Sequence, residues 1–185
     1  MTQAQLTVLA GPTAVGKGTV VAALTRRYPQ LRVSVSATTR APRPGEKEGV
    51  HYFFVSPQEF DDMIERGDML EWALVHGTNK YGTPRGPVDE SLNAGVPVLL
   101  EIDLDGARQV RATRPDACFI FLAPPSWEEL ERRLIRRGTE GPEERERRLR
   151  TARIEMEAAS EFDHVVINDD IERTVDELAG LIGLE

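Results

Sequence analysis

Apolar and polar positions alternate with two periods along this chain. Residues 6–10 form a short apolar run closed by Gly11, which predicts a buried strand. Residues 19–28 follow with Val20, Val21, Leu24 and Tyr28 on one helical face. Strand, glycine loop and helix in that order open an α/β sheet protein. The alternation returns in the second half. A helix around residues 87–94 stops at Gly95, and residues 96–102 form the near-continuous apolar strand that parallel sheets require. Residues 104–113 read as helix and residues 117–122 as another buried strand. Ser126 with Glu129 makes a capping box that opens a helix to about Arg137. Residues 138–142 break it. A long charged helix over 143–161, a strand over 164–168 and a closing helix over 171–181 complete the pattern. Five parallel strands with helices on both faces is the simplest assembly.

Between Val33 and Tyr81 the character changes. Residues 34–39 are polar and β-prone, and residues 40–49 hold Pro42, Pro44 and Gly45, a loop signature. Residues 51–55 and 69–75 are strand-like. Between them, Ser56, Pro57 and Glu59 supply an N-cap, a first-turn proline and an N3 acid for a helix ending near Gly67. Most of these strands lack crossover helices, so the block reads as an inserted β-rich subdomain.

Composition narrows the class. The 185 residues suit one domain, and 40% hydrophobic residues can build a sizeable core. The net charge of -8 argues against a general nucleic-acid coat but leaves room for a local anion pocket. Lys17, Lys47 and Lys80 are the only lysines, so arginine, suited to bidentate phosphate contacts, carries nearly all the positive charge. One cysteine, Cys118, excludes an internal disulfide framework and sits in an apolar run as a structural thiol. No apolar run approaches a membrane span, and no leader pattern opens the chain. A cytoplasmic protein with neither nucleic acid nor membrane as partner is expected.

Gly11, Pro12, Thr13, Ala14, Val15, Gly16 and Lys17 fit the phosphate-loop pattern G-x-x-x-x-G-K. Glycines let consecutive N–H groups turn inward on phosphate, and the following helix adds its positive end. Lys17 can then reach the β and γ phosphates of a nucleotide. The usual next residue is Ser or Thr, whose hydroxyl holds Mg²⁺; here it is Gly18, with Thr19 one place later. A second candidate lies in residues 34–46, where Arg40 and Arg43, three apart on a proline-rich loop, can converge on one phosphate. Alone, such a pair is more readily a solvated basic loop.

Six separated segments, GPTAVGKGT, SVSATTRAPRPGE, HYFFVS, LEWALVHGTNKYGT, LLEIDLDGA and VINDD, resemble guanylate kinases in order and spacing over essentially the whole chain. The resemblance implies a P-loop NTPase-type three-layer α/β/α fold with a five-stranded parallel sheet. It implies a core of about residues 1–33, 84–126 and 162–185, an inserted β-rich GMP-binding subdomain at 34–83 and a small helical lid region at 127–161. Residues 11–19 and Asn168, near the adenine, would bind ATP. Arg40 and Arg43, with the Tyr52 and Tyr81 hydroxyls, would grip the GMP phosphate. Glu71 and Asp103 would accept from guanine N1–H and N2–H₂, with Ser36 near O6; Thr83 stands where the family often has Ser. Arg133, Arg137 and Arg148 match lid arginines, with Arg137 also toward ATP. Composition alone could not choose these three from the nine arginines between 132 and 153.

The implied reaction is Mg²⁺-dependent transfer of the ATP γ-phosphoryl group to GMP or dGMP, in purine metabolism. Thr19 and Glu101 are the candidate metal residues, Glu101 through water at the end of its apolar strand. Two other classes stay open. A different P-loop kinase could act on a sugar phosphate, which the Glu71–Asp103 pair argues against. A guanylate-kinase-like binding module would typically have lost phosphate-loop residues, whereas this chain keeps Lys17.

Overall fold

The computed structural model of the chain describes residues 3–136 and 141–184. The elements run β1 (Leu6–Ala10), α1 (Lys17–Arg27), β2 (Arg32–Val33), β3 (Ala37–Thr38), β4 (Phe53–Phe54) and α2 (Pro57–Glu65). Next come β5 (Met69–Val75), β6 (Asn79–Pro84), α3 (Arg85–Asn93), β7 (Val98–Glu101), α4 (Leu104–Thr113) and β8 (Cys118–Ala123). The chain closes with α5 (Trp127–Arg136), α6 (Pro142–Glu157), a 3-10 turn (Ala158–Glu161), β9 (His164–Ile167) and α7 (Ile171–Ile182).

The expected five-stranded sheet forms in the order β2-β7-β1-β8-β9, with every neighbouring pair parallel. β1 is central, pairing Val8 with Leu100 on one side and Phe119 on the other. Its alternation builds two cores. Leu9 packs with Val20, Leu24 and Leu178 of the α1 and α7 layer. Leu6 and Val8 pack with Val88 and Val110 of the α3 and α4 layer. Leu9 and Val8 are fully buried; burying each side chain contributes about 1.5–3 kcal/mol. Cys118 is buried in the same sheet, as a structural thiol should be.

A second sheet, β4-β3-β6-β5, forms the inserted subdomain. Its small core is Ala37, Phe60 and Met69, with Trp72 packed against it. Ser56 caps α2 by accepting from the Glu59 N–H at 3.1 Å, as the sequence predicts. Of the β-prone residues 34–39, only Ala37–Thr38 forms a strand, and a separate short strand precedes them. Arg32–Val33 pairs with β7 of the first sheet, and Ala37–Thr38 with β6 of the second. The chain crosses from one sheet to the other between them. A small cluster of Leu130, Leu134 and Ala152, with Trp127, joins α5 to α6. Among the described residues no helix is long and apolar enough to cross a membrane.

Candidate active site

β1 feeds the loop at 11–16, and α1 starts at Lys17. Gly16 caps the helix in the left-handed region, φ 95°, and no side chain bonds the first amides. Those orphan N–H groups and the helix's positive end make an anion seat. Ala14 also has positive φ, 69°, which a non-glycine residue holds only when its surroundings enforce it. The enforcement is visible. The Val15 carbonyl accepts from Asn168 Nδ2 at 2.8 Å and from Arg133 Nη1 at 3.1 Å. A Cβ on Gly16 would lie 3.0 Å from Asn168 Nδ2, so space as well as φ demands glycine. Asn168, expected near the adenine, and Arg133, expected on the transferring phosphoryl group, both brace the phosphate loop.

Lys17 Nζ donates to the Ile102 carbonyl at 3.1 Å, beyond the end of β7. Burial pushes its pKa down, opposed by the charges of Glu101, Glu155 and Asp103. Glu155 escaped the sequence reading, because nothing marks one acid in a charged helix. Its carboxyl is pushed up by burial and held back by the Thr13 N–H, Lys17 and the Thr13 hydroxyl, so α6 reaches the phosphate loop.

Glu101 Oε1 is 3.9 Å from the position a Cβ on Gly18 would take. Thr19 is exposed on α1, about 100° round the helix from position 18. Its side chain therefore leaves the helix on a different side from one at position 18. Among the described residues no group of three or more His, Cys, Asp or Glu could hold a metal directly. One carboxylate beside a phosphate loop suits a hard cation whose other ligands are phosphate oxygens and water.

Across the cleft, Arg40, Tyr52 and Tyr81 come together. Arg40 Nε donates to the Tyr81 hydroxyl at 3.2 Å, and its guanidinium lies 5.3 Å from the Tyr52 ring centre. Glu46 completes the cluster by taking Arg40 Nη1 at 2.8 Å and Nη2 at 3.0 Å. That pairing, with the Arg43 N–H, holds the Glu46 carboxyl at about 2. Glu46 carried no role in the sequence reading. Arg43 gives it a backbone N–H at 2.7 Å and is itself exposed. Ser36 is half-buried just before β3.

Glu71, on β5, is buried, and its Oε1 accepts from the Thr83 hydroxyl at 2.7 Å. Thr83, matched to a substrate-side hydroxyl, is fully buried and bound to Glu71. Asp103 is the N-cap of α4, its Oδ1 accepting the Gly106 N–H at 2.8 Å. A Cβ on Gly106 would stand 3.1 Å from both Asp103 Oδ1 and Glu71 Oε2. The absent side chain is what lets the two carboxylates meet. Burial, and then the Asp103 charge, push the Glu71 carboxyl up, while the Thr83 bond pulls it down.

A cleft of about 450 Å³ is lined by Thr13 of the phosphate loop, His76 of the β5–β6 turn, and Glu144, Arg147, Arg148 and Thr151 of α6. Arg148 therefore faces the phosphate loop from α6, with its Nε 3.7 Å from Glu144. Arg137 lies outside the described residues. A larger cavity, about 610 Å³, lies elsewhere, between β2, α3 and Phe53, and touches none of these side chains.

A family model described as Guanylate kinase matches residues 3–185. A guanylate kinase of Thermobifida fusca is 60% identical over 178 residues, covering 96% of this chain and 90% of that protein. One of Streptomyces coelicolor is 58% identical over 177 residues, covering 96% and 89%. The crystal structure of guanylate kinase from Anaplasma phagocytophilum superposes with a TM-score of 0.72 at 35% identity, covering 97% of this chain and 85% of that one. A shikimate kinase from Bacteroides thetaiotaomicron, 16% identical with a TM-score of 0.52, shares the fold.

Proposed function

The chain belongs to the guanylate kinase family and is an ATP:GMP phosphotransferase, and we propose from that premise which of its residues do the work. The observation that carries the assignment is the pair of carboxylates meeting over Gly106. Guanine presents two donors, N1–H and N2–H₂, on one edge. Glu71 and Asp103 supply acceptors for them, and adenine, whose N1 is an acceptor, leaves the buried Glu71 unpaired. A polar site left unpaired by the wrong base discriminates strongly.

Arg40, Tyr52 and Tyr81 grip the GMP phosphate, with the exposed Arg43 closing over it. Glu46 and the Ala41 carbonyl fix the Arg40 guanidinium, which keeps one Nη2 N–H and its charge for the phosphate. The loop amides and Lys17 bind the β and γ phosphates of ATP. Arg148, with Arg137, neutralises the charge that spreads over the transferring group, and Arg133 fixes the loop that holds the donor. The ionised GMP phosphate is its own nucleophile, so the protein's task is alignment and charge. Closure of the cleft excludes water that would otherwise hydrolyse ATP. Mg²⁺ fits beside Glu101, held through water and the ATP phosphates, and supplies charge neutralisation when bound. The acceptors are GMP and dGMP, and the setting is cytoplasmic purine nucleotide metabolism.

Glu71→Ala tests the guanine assignment. The KM for GMP is expected to rise at least tenfold and AMP to become a measurable acceptor. Unchanged GMP kinetics would remove Glu71 from base recognition.

A further inference from the structure

We propose that Gln109 is a positioning residue for base recognition, tying the strand that carries Glu71 to the helix that Asp103 caps. The inference rests on reading Glu71 and Asp103 as the guanine acceptors.

The side chain of Gln109 makes two bonds to one residue 37 positions away. The Trp72 N–H donates to Gln109 Oε1 at 3.1 Å, and Gln109 Nε2 donates to the Trp72 carbonyl at 2.9 Å. This is the double exchange an antiparallel partner strand provides, made here by one primary amide. The position explains the need. β5 is the edge of its sheet, with β6 on one side only. Trp72 stands opposite Gly82, and a Cβ on Gly82 would come within 2.9 Å of Trp72 Cβ. That closeness marks a pair whose own N–H and C=O point away from β6. Gln109 meets them there.

Trp72 is the next residue after Glu71. On α4, Asp103, Gly106 and Gln109 are spaced three apart, so they fall along one side of the helix. Asp103 offers one acceptor, Gly106 leaves the gap into which Glu71 Oε2 fits, and Gln109 clamps the backbone beside Glu71. One helix of the core thereby sets the spacing of two carboxylates, one on β5 and one at its own N-cap. Thr83 cannot do this, because it sits on β6 and moves with Glu71. Without Gln109, the Glu71–Thr83 unit loses its hydrogen-bonded tie to α4 and keeps only apolar packing, Leu70 against Ala107 and Val110, while the bonds of Lys17 and Arg40 are untouched.

The test compares Gln109→Leu and Gln109→Met, both near glutamine in volume, using melting temperature to confirm folding. Initial rates are measured with GMP and with inosine monophosphate, which lacks the 2-amino donors. Loss of two part-buried bonds to the β5 backbone predicts a rise in the KM for GMP of about tenfold. The GMP preference over inosine monophosphate, as a ratio of kcat/KM, is expected to fall roughly three- to tenfold, with kcat at saturating GMP and the KM for ATP within about twofold. A merely structural role would lower kcat through the active fraction and leave the base ratio alone. A variant that folds with wild-type KM and base ratio overturns the inference. Glu71→Ala runs alongside: if it too keeps the wild-type ratio, the guanine reading itself falls, and this inference with it.

Discussion

The Thr83 hydroxyl donates to Glu71 Oε1 across 2.7 Å from a fully buried position on the neighbouring strand. Thr83 thus supports the carboxylate proposed to read guanine. Thr83→Val keeps the shape and leaves a buried carboxylate oxygen without its donor. The expected cost is about 1–3 kcal/mol of stability, with a raised KM for GMP. Thr83→Ser should retain most of both. Denaturant unfolding and GMP kinetics on the two variants check this, and a silent Thr83→Val contradicts it.

Glu71 has a stability cost that depends on pH. Burial holds its carboxyl above the ordinary value of 4.5 that it regains on unfolding. Its favourable contribution is therefore present below about pH 4.5 and is lost as pH rises through the folded value. Thr83 and Asp103 are the groups facing it, and only Asp103 adds charge. Glu71→Gln removes the ionisation and still accepts from Thr83. Its melting temperature should exceed that of the wild type near pH 7.5, with the gain vanishing toward pH 4.5, while GMP binding weakens. A gain independent of pH would refute the desolvation argument.

The Arg40 guanidinium is held by four partners, the Glu46 carboxylate, the Ala41 carbonyl, the Tyr81 hydroxyl and the Tyr52 ring. Arg40→Lys keeps the charge and loses the fork. The KM for GMP should rise about tenfold or more while the KM for ATP stays within twofold. Equal effects on both substrates would place Arg40 outside the acceptor site.

Much of this was legible in the sequence, for reasons that can be named. The phosphate loop declares itself because G-x-x-x-x-G-K must follow a buried strand and open a helix, and Leu6–Ala10 and Lys17–Arg27 do so. The capping serines at 56 and 126 fixed helix starts because a short-range bond makes them. β6 went unseen: Asn79–Pro84 contains Gly82 and Pro84, poor strand formers that β5 recruits through Phe60, Trp72 and close backbone approach. The end of the long helix, expected at 161, tightens into a 3-10 turn after Glu157. What sequence cannot show is a bond between distant segments. Gln109 to Trp72, Asn168 and Arg133 to Val15, and Glu155 against Thr13 all span dozens of residues and leave no local periodicity behind.

The most direct test is the rate of ADP formation from ATP and Mg²⁺ in a coupled assay, offering GMP, AMP, CMP and UMP in turn. The account requires rapid turnover with GMP and at most a trace with the other three. Comparable turnover with AMP, or none with GMP from folded protein, would contradict a donor loop at Lys17 facing a guanine site at Glu71 and Asp103.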